Sequence, residues 1–168
     1  MYRYVNVRKL DRKSFQPYGE IIEPTPEMRR AAEPRNSFKS WDDLVDPRTE
    51  NFVFGYLEAY ASSLEFDTME RHVNTAEVII PLTGCSVLPL APPKELDNPD
   101  AKPQVEDIVG FLLDGTTAVC LYRGTWHHPP ISLSSVSTFL IGIKKGTVKN
   151  DLHIVDFEKE GIKLKIRL

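Results

Sequence analysis

Residues 76–91 read Ala76-Glu77-Val78-Ile79-Ile80-Pro81-Leu82-Thr83-Gly84-Cys85-Ser86-Val87-Leu88-Pro89-Leu90-Ala91, and this stretch decides the fold class. It contains two short runs rich in β-branched and other apolar residues, from Ala76 to Leu82 and from Cys85 to Ala91. Thr83-Gly84 separates the runs with residue types that tight turns require. The stretch therefore predicts two short strands joined by a turn.

The same pattern of short strands and polar turns continues in both directions along the chain. We predict further strands over Tyr2 to Lys9, Phe52 to Tyr60, Leu64 to Arg71, Val105 to Leu113, Thr117 to Tyr122, His127 to Leu133, Val136 to Ile143, Leu152 to Phe157 and Ile162 to Leu168. Helical patterns are few: Ser40 to Val45 is expected to form a short helix with Ser40 as its N-cap, and Asp11 to Phe15 one helical turn. These patterns predict an all-β fold, either a β-sandwich or a small barrel.

Composition narrows the class of protein before any motif is considered. The 168 residues, 41% of them hydrophobic, fit a single domain over residues 1–168 with a full core. A net charge of −3 argues against a nucleic-acid or anionic-membrane partner, because phosphate binding needs a clustered basic face. No apolar run approaches the roughly twenty residues that cross a bilayer. We expect a soluble, cytoplasmic protein in which Cys85 and Cys120 are buried, reduced thiols.

Three of the four histidines lie in two short clusters, which are the best candidates for a functional site. In a strand, residues two apart share a face, so Glu70 and His72 are predicted to point the same way. A turn after His72 can bring Glu77 back beside them. His127 and His128 must face opposite sides of their strand, so only one of them can join this set. Such a group of carboxylates and imidazoles suits a divalent transition metal with an open coordination position.

Taken singly, each of these residues is more often structural than functional, and the argument rests on their spacing. His72, four residues, Glu77, six residues and then Gly84 is similar to part of the first cupin motif. Gly124, two residues and then His127 is similar to the end of the second cupin motif. This spacing favours His127 over His128 as the residue that faces inward.

Longer motifs narrow the resemblance to one family. Leu10 to Ile22, Met69-Glu70-Arg71-His72, Ile80-Pro81-Leu82, Tyr122 to Pro129 and Thr138-Phe139-Leu140 resemble motifs of the ureidoglycolate lyase family, in family order and over nearly the whole chain. The resemblance implies a cupin-type β-barrel (a double-stranded β-helix or jelly roll) with a few short helices. It also implies a homodimer.

The chain departs from the family pattern at several positions. Val73 stands where the family typically has proline, Tyr122 where it has histidine, and Thr138 where it has aspartate. Glu77 replaces a glutamine and restores the glutamate of the general cupin metal site. Arg35-Asn36-Ser37-Phe38 resembles the family's asparagine- and glycine-rich segment only faintly.

The resemblance implies an enzyme that acts on a small molecule: a carbon–nitrogen lyase of the amidine-lyase type, which cleaves (S)-ureidoglycolate to glyoxylate and urea in the breakdown of allantoin, a stage of purine degradation. A divalent metal ion (Ni, Zn or Mn) is expected to be held by Glu70, His72, Glu77 and His127. His127 or His72 can serve as the acid and base. If His127 is a ligand, the proton carrier is another group, Tyr122 or Glu70.

Two alternatives stay open at this point. One is a diverged cupin that transforms another small hydroxy acid or sugar, and the other is a cupin that binds a small molecule without turnover. Arg71, Arg123 and Trp126 lie one position away from the inward-facing residues. We therefore expect a solvated or dimer-interface role for the two arginines and packing on the outer face for Trp126.

Overall fold

The computed structural model describes residues 1–31 and 39–168, so Arg35-Asn36-Ser37-Phe38 lies outside the described residues. The strands are β1 Tyr2–Lys9, β2 Gly19–Ile22, β3 Phe52–Tyr60, β4 Glu65–Phe66, β5 Thr68–Arg71, β6 Glu77–Thr83, β7 Ser86–Ala91, β8 Val109–Leu113, β9 Ala118–Leu121, β10 Trp126–His127, β11 Ile131–Ser132, β12 Val136–Lys144, β13 His153–Asp156 and β14 Lys163–Arg167. The helices are α1 Arg12–Phe15, α2 Pro26–Ala31 and α3 Thr147–Asn150, with 3₁₀ turns at Val105–Asp107 and Glu158–Glu160.

The strands of the described residues form two sheets. One has the order β13-β5-β10-β7-β8-β1-β14-β4, with β11 also pairing with β7, and the other has the order β2-β9-β6-β12-β3. Both sheets curl to form a half-barrel, which is consistent with the cupin-type barrel that the family resemblance implies. The all-β prediction is confirmed.

Strands β6 and β7, which lie in the stretch from Ala76 to Ala91, belong to different sheets. β6 belongs to the smaller sheet and β7 to the larger one, so the turn between them carries the chain from one sheet to the other. Gly84 in this turn has a φ of 79°, a left-handed conformation that glycine adopts without the clash a Cβ would cause.

Several predicted elements differ from the structure. The predicted strand from His127 to Leu133 is two short strands, β10 and β11, because Pro129 and Pro130 between them have no N–H for a strand ladder. Strand β2 was not predicted. The helix predicted over Ser40 to Val45 is wrong, since the structure has no regular element there. Asp11 does cap α1, where its carboxylate accepts hydrogen bonds from the backbone N–H groups of Lys13 and Ser14.

The core consists of two main clusters of buried side chains. One, which contains Phe15, Tyr18 and Phe111, is packed by edge-to-face aromatic contacts, with Phe15 and Phe111 ring centroids 5.1 Å apart. The other contains Met69 and Trp126, which flank the site residues on β5 and β10. Cys120 is buried and Cys85 half-buried, and neither forms a disulfide.

In the part of the chain that the structure describes, no helix is long and apolar enough to cross a membrane.

Candidate functional site

Four titratable side chains from three strand regions meet inside the barrel, and we call them the Glu–His cluster: Glu70, His72, Glu77 and His127. Glu70 lies on β5, and His72 follows the last residue of that strand. His127 on β10 is directly opposite Glu70 in the antiparallel ladder, so these two side chains are cross-strand neighbours. Glu77 is the first residue of β6 and reaches the same point from the other sheet.

The distances within the cluster are short. Nε2 of His127 lies 3.1 Å from Oε2 of Glu77 and 3.4 Å from Oε1 of Glu70. Nε2 of His72 lies 3.6 Å from the same Glu77 oxygen. Glu70, His72 and His127 each place one ligand atom within 4.8 Å of the other two. The predicted convergence of these four residues is therefore present in the structure.

Both imidazole rings are oriented by main-chain carbonyl oxygens. Nδ1 of His72 lies 2.7 Å from the carbonyl oxygen of Asp151, and Nδ1 of His127 lies 3.1 Å from that of Thr125. A carbonyl oxygen can only accept, so each Nδ1 carries the hydrogen and donates it. The other ring nitrogen, Nε2, then faces the cluster in both residues, as in histidines that bind metals.

The buried charges of the cluster depend on one another. Burial alone would lower the pKa of His127, but the Glu77 and Glu70 carboxylates outweigh burial and raise it above its ordinary value. Burial opposes ionisation of Glu77, yet His127 and His72 hold the pKa of this carboxyl below its usual range. The contact with His127 likewise lowers the pKa of Glu70. The cluster thus favours carboxylates beside a cation.

The donor atoms of the cluster are suited to a metal ion. Although Oε2 of Glu77 and Nε2 of His127 are buried and close together, neither atom has a hydrogen-bond partner among the described residues. Orphaned buried polar atoms are costly unless a further group satisfies them. Two imidazoles and two carboxylates form a donor set that divalent transition metals accept. Glu70, His72, Glu77 and His127 can therefore hold a metal ion.

A cavity of about 260 Å³ opens onto the Glu–His cluster. All four cluster residues line it, and most of its other wall residues are apolar: Gly55, Tyr56, Leu57, Ile79, Pro129, Pro130, Ile141, Ile143, Val148 and Leu152. None of the described lining residues is a lysine or an arginine. A ligand in this cavity would meet its polar contacts mainly at the cluster, with apolar walls around the rest of it.

The adjacent histidine and the tyrosine that we considered lie elsewhere. His128 points away from the cluster, and its ring packs against Phe66 with centroids 4.9 Å apart. Tyr122 does not line the site cavity; it lines separate cavities with Glu20. The role of Tyr122 as a proton carrier stays a prediction, and its position gives no support to it.

Arg71 corrects an expectation from the sequence. Its side chain is fully buried rather than solvated. It donates hydrogen bonds to the carbonyl oxygens of Lys94, Glu95 and Asn98, and its guanidinium lies 4.7 Å from the ring centre of Trp126. The alternative expectation, a dimer-interface role, is also wrong for a side chain enclosed in this way. Trp126 is buried in the core, as its predicted packing role requires.

Sequence reasoning also missed Asp151, a buried residue that contacts the three consecutive residues that follow β5. No motif marks it, because it lies far along the chain and one of these contacts uses its main-chain oxygen.

A curled β-barrel with carboxylates and imidazoles converging inside it defines a cupin-type protein with a candidate metal centre. Comparison with known proteins narrows this class: the family model described as ureidoglycolate lyase matches residues 2–165, and the chain belongs to that family.

Individual relatives agree with this assignment. A protein of Agrobacterium fabrum named ureidoglycolate lyase is 28% identical over 157 residues, which cover 89% of this chain and 90% of the relative. Proteins with the same name from Rhizobium etli and Burkholderia cepacia are 27% and 28% identical, covering 94% and 87% of this chain and 94% and 82% of the relatives.

Proposed function

We propose that this protein cleaves (S)-ureidoglycolate to glyoxylate and urea, as a carbon–nitrogen lyase of the amidine-lyase type. The observation that carries the proposal is the Glu–His cluster open to a cavity, in a chain that belongs to the ureidoglycolate lyase family. Cleavage of this substrate needs a proton carrier and stabilisation of a developing alkoxide. The cluster contains groups suited to both tasks.

Glu70 is the residue best placed to move protons. Its side chain is 29% exposed, compared with 10% for Glu77 and 4% for His127, so it has the easiest access to a ligand in the cavity. As a carboxylate, Glu70 takes the proton from the carbinol oxygen. The carbon–oxygen double bond of glyoxylate forms, the carbon–nitrogen bond breaks, and Glu70 returns the proton to the departing urea nitrogen. One group thus acts first as base and then as acid.

His72, Glu77 and His127 hold the polar end of the site. We infer that they bind a divalent ion, Ni²⁺, Zn²⁺ or Mn²⁺, with Glu70 as a further ligand or as the proton carrier. When bound, such an ion supplies Lewis-acid stabilisation of negative charge on oxygen. The chain's own contribution is to fix both Nε2 atoms toward one point and to exclude water with the apolar walls.

The test is to mix purified, metal-supplemented protein with racemic ureidoglycolate and to follow glyoxylate and urea. We expect equal release of both products, lost in His72→Ala and retained in His128→Ala. The Glu70→Gln variant is expected to lose turnover. Release no faster than the uncatalysed background, from protein whose metal content has been confirmed, would contradict the proposal.

We further propose that the protein is a homodimer. Strand β3 supports this, because it pairs with β12 on one edge and has no strand partner on the other among the described residues. Its side chains Phe54, Tyr56 and Tyr60 are exposed. An edge strand with exposed aromatic residues is a surface that proteins usually cover. Light scattering coupled to size exclusion would test this, and a monomer mass at micromolar concentration would contradict it.

A further inference from the structure

Asp151 connects the end of α3 with the turn that follows the site strand β5. Its backbone N–H donates to the carbonyl oxygen of Thr147, 2.8 Å away, at the end of the α3 turn. One carboxylate oxygen accepts from the backbone N–H of Val73 at 3.0 Å, and the other from that of Asn74 at 2.8 Å. The Asn74 side-chain amide donates a third hydrogen bond, at 3.1 Å. Asp151 itself is buried, whereas its partner Asn74 is exposed.

The main-chain oxygen of the same residue accepts the Nδ1 hydrogen of His72 at 2.7 Å. Asp151 therefore contacts three consecutive residues, His72 through its backbone and Val73 and Asn74 through its side chain. Any residue has a carbonyl oxygen, but only a carboxylate can accept from both backbone N–H groups and the amide together. The side chain thus determines where the carbonyl oxygen lies relative to the imidazole.

The two cluster histidines differ in whether the hydrogen-bond partner of their Nδ1 atom lies nearby or far away in the sequence. His127 lies within β10, and its Nδ1 finds the carbonyl oxygen of Thr125, two residues earlier in the chain. His72 lies one residue past the end of β5, where no strand ladder fixes it. Its partner comes from a distant part of the chain, so its orientation depends on how that part is held.

We propose that Asp151 is a positioning residue: by clamping the turn after β5 with its carboxylate, it keeps its own carbonyl oxygen on Nδ1 of His72 and so directs Nε2 of His72 into the Glu–His cluster. The ring nitrogen that faces the site is set by the hydrogen bond of the other nitrogen. Partners of this kind affect metal affinity by about 10–100-fold in known metal sites.

The variant that tests this is Asp151→Asn, which places an amide NH₂ against a backbone N–H and breaks the clamp. The matched control is Asp156→Asn, which makes the same charge change on β13, where that carboxylate accepts from the backbone N–H of Glu158 and lies 3.6 Å from Nζ of Lys159, away from the cluster. ¹⁵N NMR of the histidine rings in metal-free protein reports which nitrogen of His72 carries hydrogen. Titration with Ni²⁺ reports the affinity of the cluster.

We expect Asp151→Asn to shift His72 away from the single Nδ1–H form and to weaken Ni²⁺ binding by at least tenfold, with Asp156→Asn unchanged. A folded Asp151→Asn protein with the wild-type His72 spectrum would overturn the proposal, as would an equal change in Asp156→Asn. The spectrum decides the matter even for a protein that binds no Ni²⁺, so failure of the proposed lyase is a separate result.

A second variant covers the case in which Asp151→Asn does not fold. Asn74→Ala removes only the amide contact to the carboxylate, and Asn74 is exposed. We expect the same change in the His72 spectrum, smaller in size, because two of the three contacts remain. An unchanged His72 spectrum in this variant, when Asp151→Asn is unfolded, would overturn the proposal.

Discussion

Adjacent residues can have unrelated environments, and His127, the last residue of β10, and His128, which follows it, are an example. The ring of His127 is buried between Glu70 and Glu77, whereas the ring of His128 packs on Phe66 and lies outside the cluster. Successive side chains of a strand point to opposite faces, which is why a sequence can predict this separation. The spacing from Gly124 then favours His127 as the inward residue, and the structure agrees.

We predict that His127→Ala removes metal binding and turnover, while His128→Ala leaves both close to wild type. Loss of a ligand should weaken metal affinity by more than the roughly 100-fold effect of an outer partner. Loss of the His128 ring should reduce stability by only about 1 kcal/mol, the size of one aromatic contact. Metal content by mass spectrometry and urea unfolding would separate the two effects. Equal metal loss in both variants would disprove the facing assignment.

The two cysteines should differ in reactivity because they differ in burial. Burial raises the pKa of the Cys120 thiol to about 12, so almost none of it is thiolate at neutral pH. Cys85 is only half-buried. We predict that a thiol reagent at pH 8 labels Cys85 in the folded protein and labels Cys120 only after unfolding. Cys85→Ser protein is the control, and rapid labelling of this folded variant would contradict the prediction.

At the scale of elements, the turn between β6 and β7 controls how the two sheets meet. Gly84 in this turn has a positive φ, and a Cβ there would lie 2.7 Å from the carbonyl oxygen of Val136 and would also clash with the Ser137 side chain. Gly161 also has a positive φ, of 72°, but a Cβ there would meet nothing within 4 Å among the described residues. A comparison of alanine variants at Gly84 and Gly161 therefore separates the cost of backbone strain from the cost of a steric clash.

We predict that Gly161→Ala lowers the free energy of unfolding by about 1–2 kcal/mol, the cost of a left-handed alanine. Gly84→Ala should cost about 1–3 kcal/mol more, because it adds overpacking to the same strain. Urea unfolding of both variants measures the difference. Equal losses would show that the β6–β7 turn relaxes to accommodate the methyl group.

At the scale of the whole molecule, the Glu–His cluster joins the two sheets. Glu70 and His127 belong to strands of the larger sheet, and Glu77 to a strand of the smaller one. An ion bound by all of them would connect the sheets across the barrel. The ion would also bind only to the folded state, because the unfolded chain does not hold these ligands together.

We therefore predict that a bound transition metal raises the thermal midpoint. At a free metal concentration of 100 times Kd the gain is about 2.7 kcal/mol, which corresponds to roughly 5–10 °C for a chain of this size. Differential scanning fluorimetry with Ni²⁺, Zn²⁺ and Mn²⁺ would measure it. Mg²⁺, which prefers oxygen ligands, and the His127→Ala variant are controls that should show no shift.

The sequence predicted much of the fold because most strands carry their signal locally. Tyr2–Lys9 and Phe52–Tyr60 have the predicted bounds. Failures occurred where tertiary contacts decide: β2, Gly19–Ile22, is too short to show a clear alternation and gains its partner only in β9. Residues from Ser40 to Val45 have local helix signals, yet they form no helix in the folded chain.

Part of the candidate site could also be predicted, again where the signal lies in the local sequence. Glu70, His72, Glu77 and His127 stand at spacings that strand geometry can interpret. The burial of Arg71 was not predicted and Asp151 was missed, because their partners include main-chain groups of distant segments. Backbone carbonyls and N–H groups are the same in every residue, so such contacts leave no pattern of residue types.

The position of the cluster across both sheets also has a kinetic consequence. While only one sheet has formed, His127 and Glu70 can be adjacent, but Glu77 is still absent from the set. A metal ion bound by the cluster would therefore gain its full set of ligands only after the non-local pairing of the barrel is complete, which is the slow part of folding for such a topology. Metal binding at this site would then follow the last step of folding and would not initiate the first.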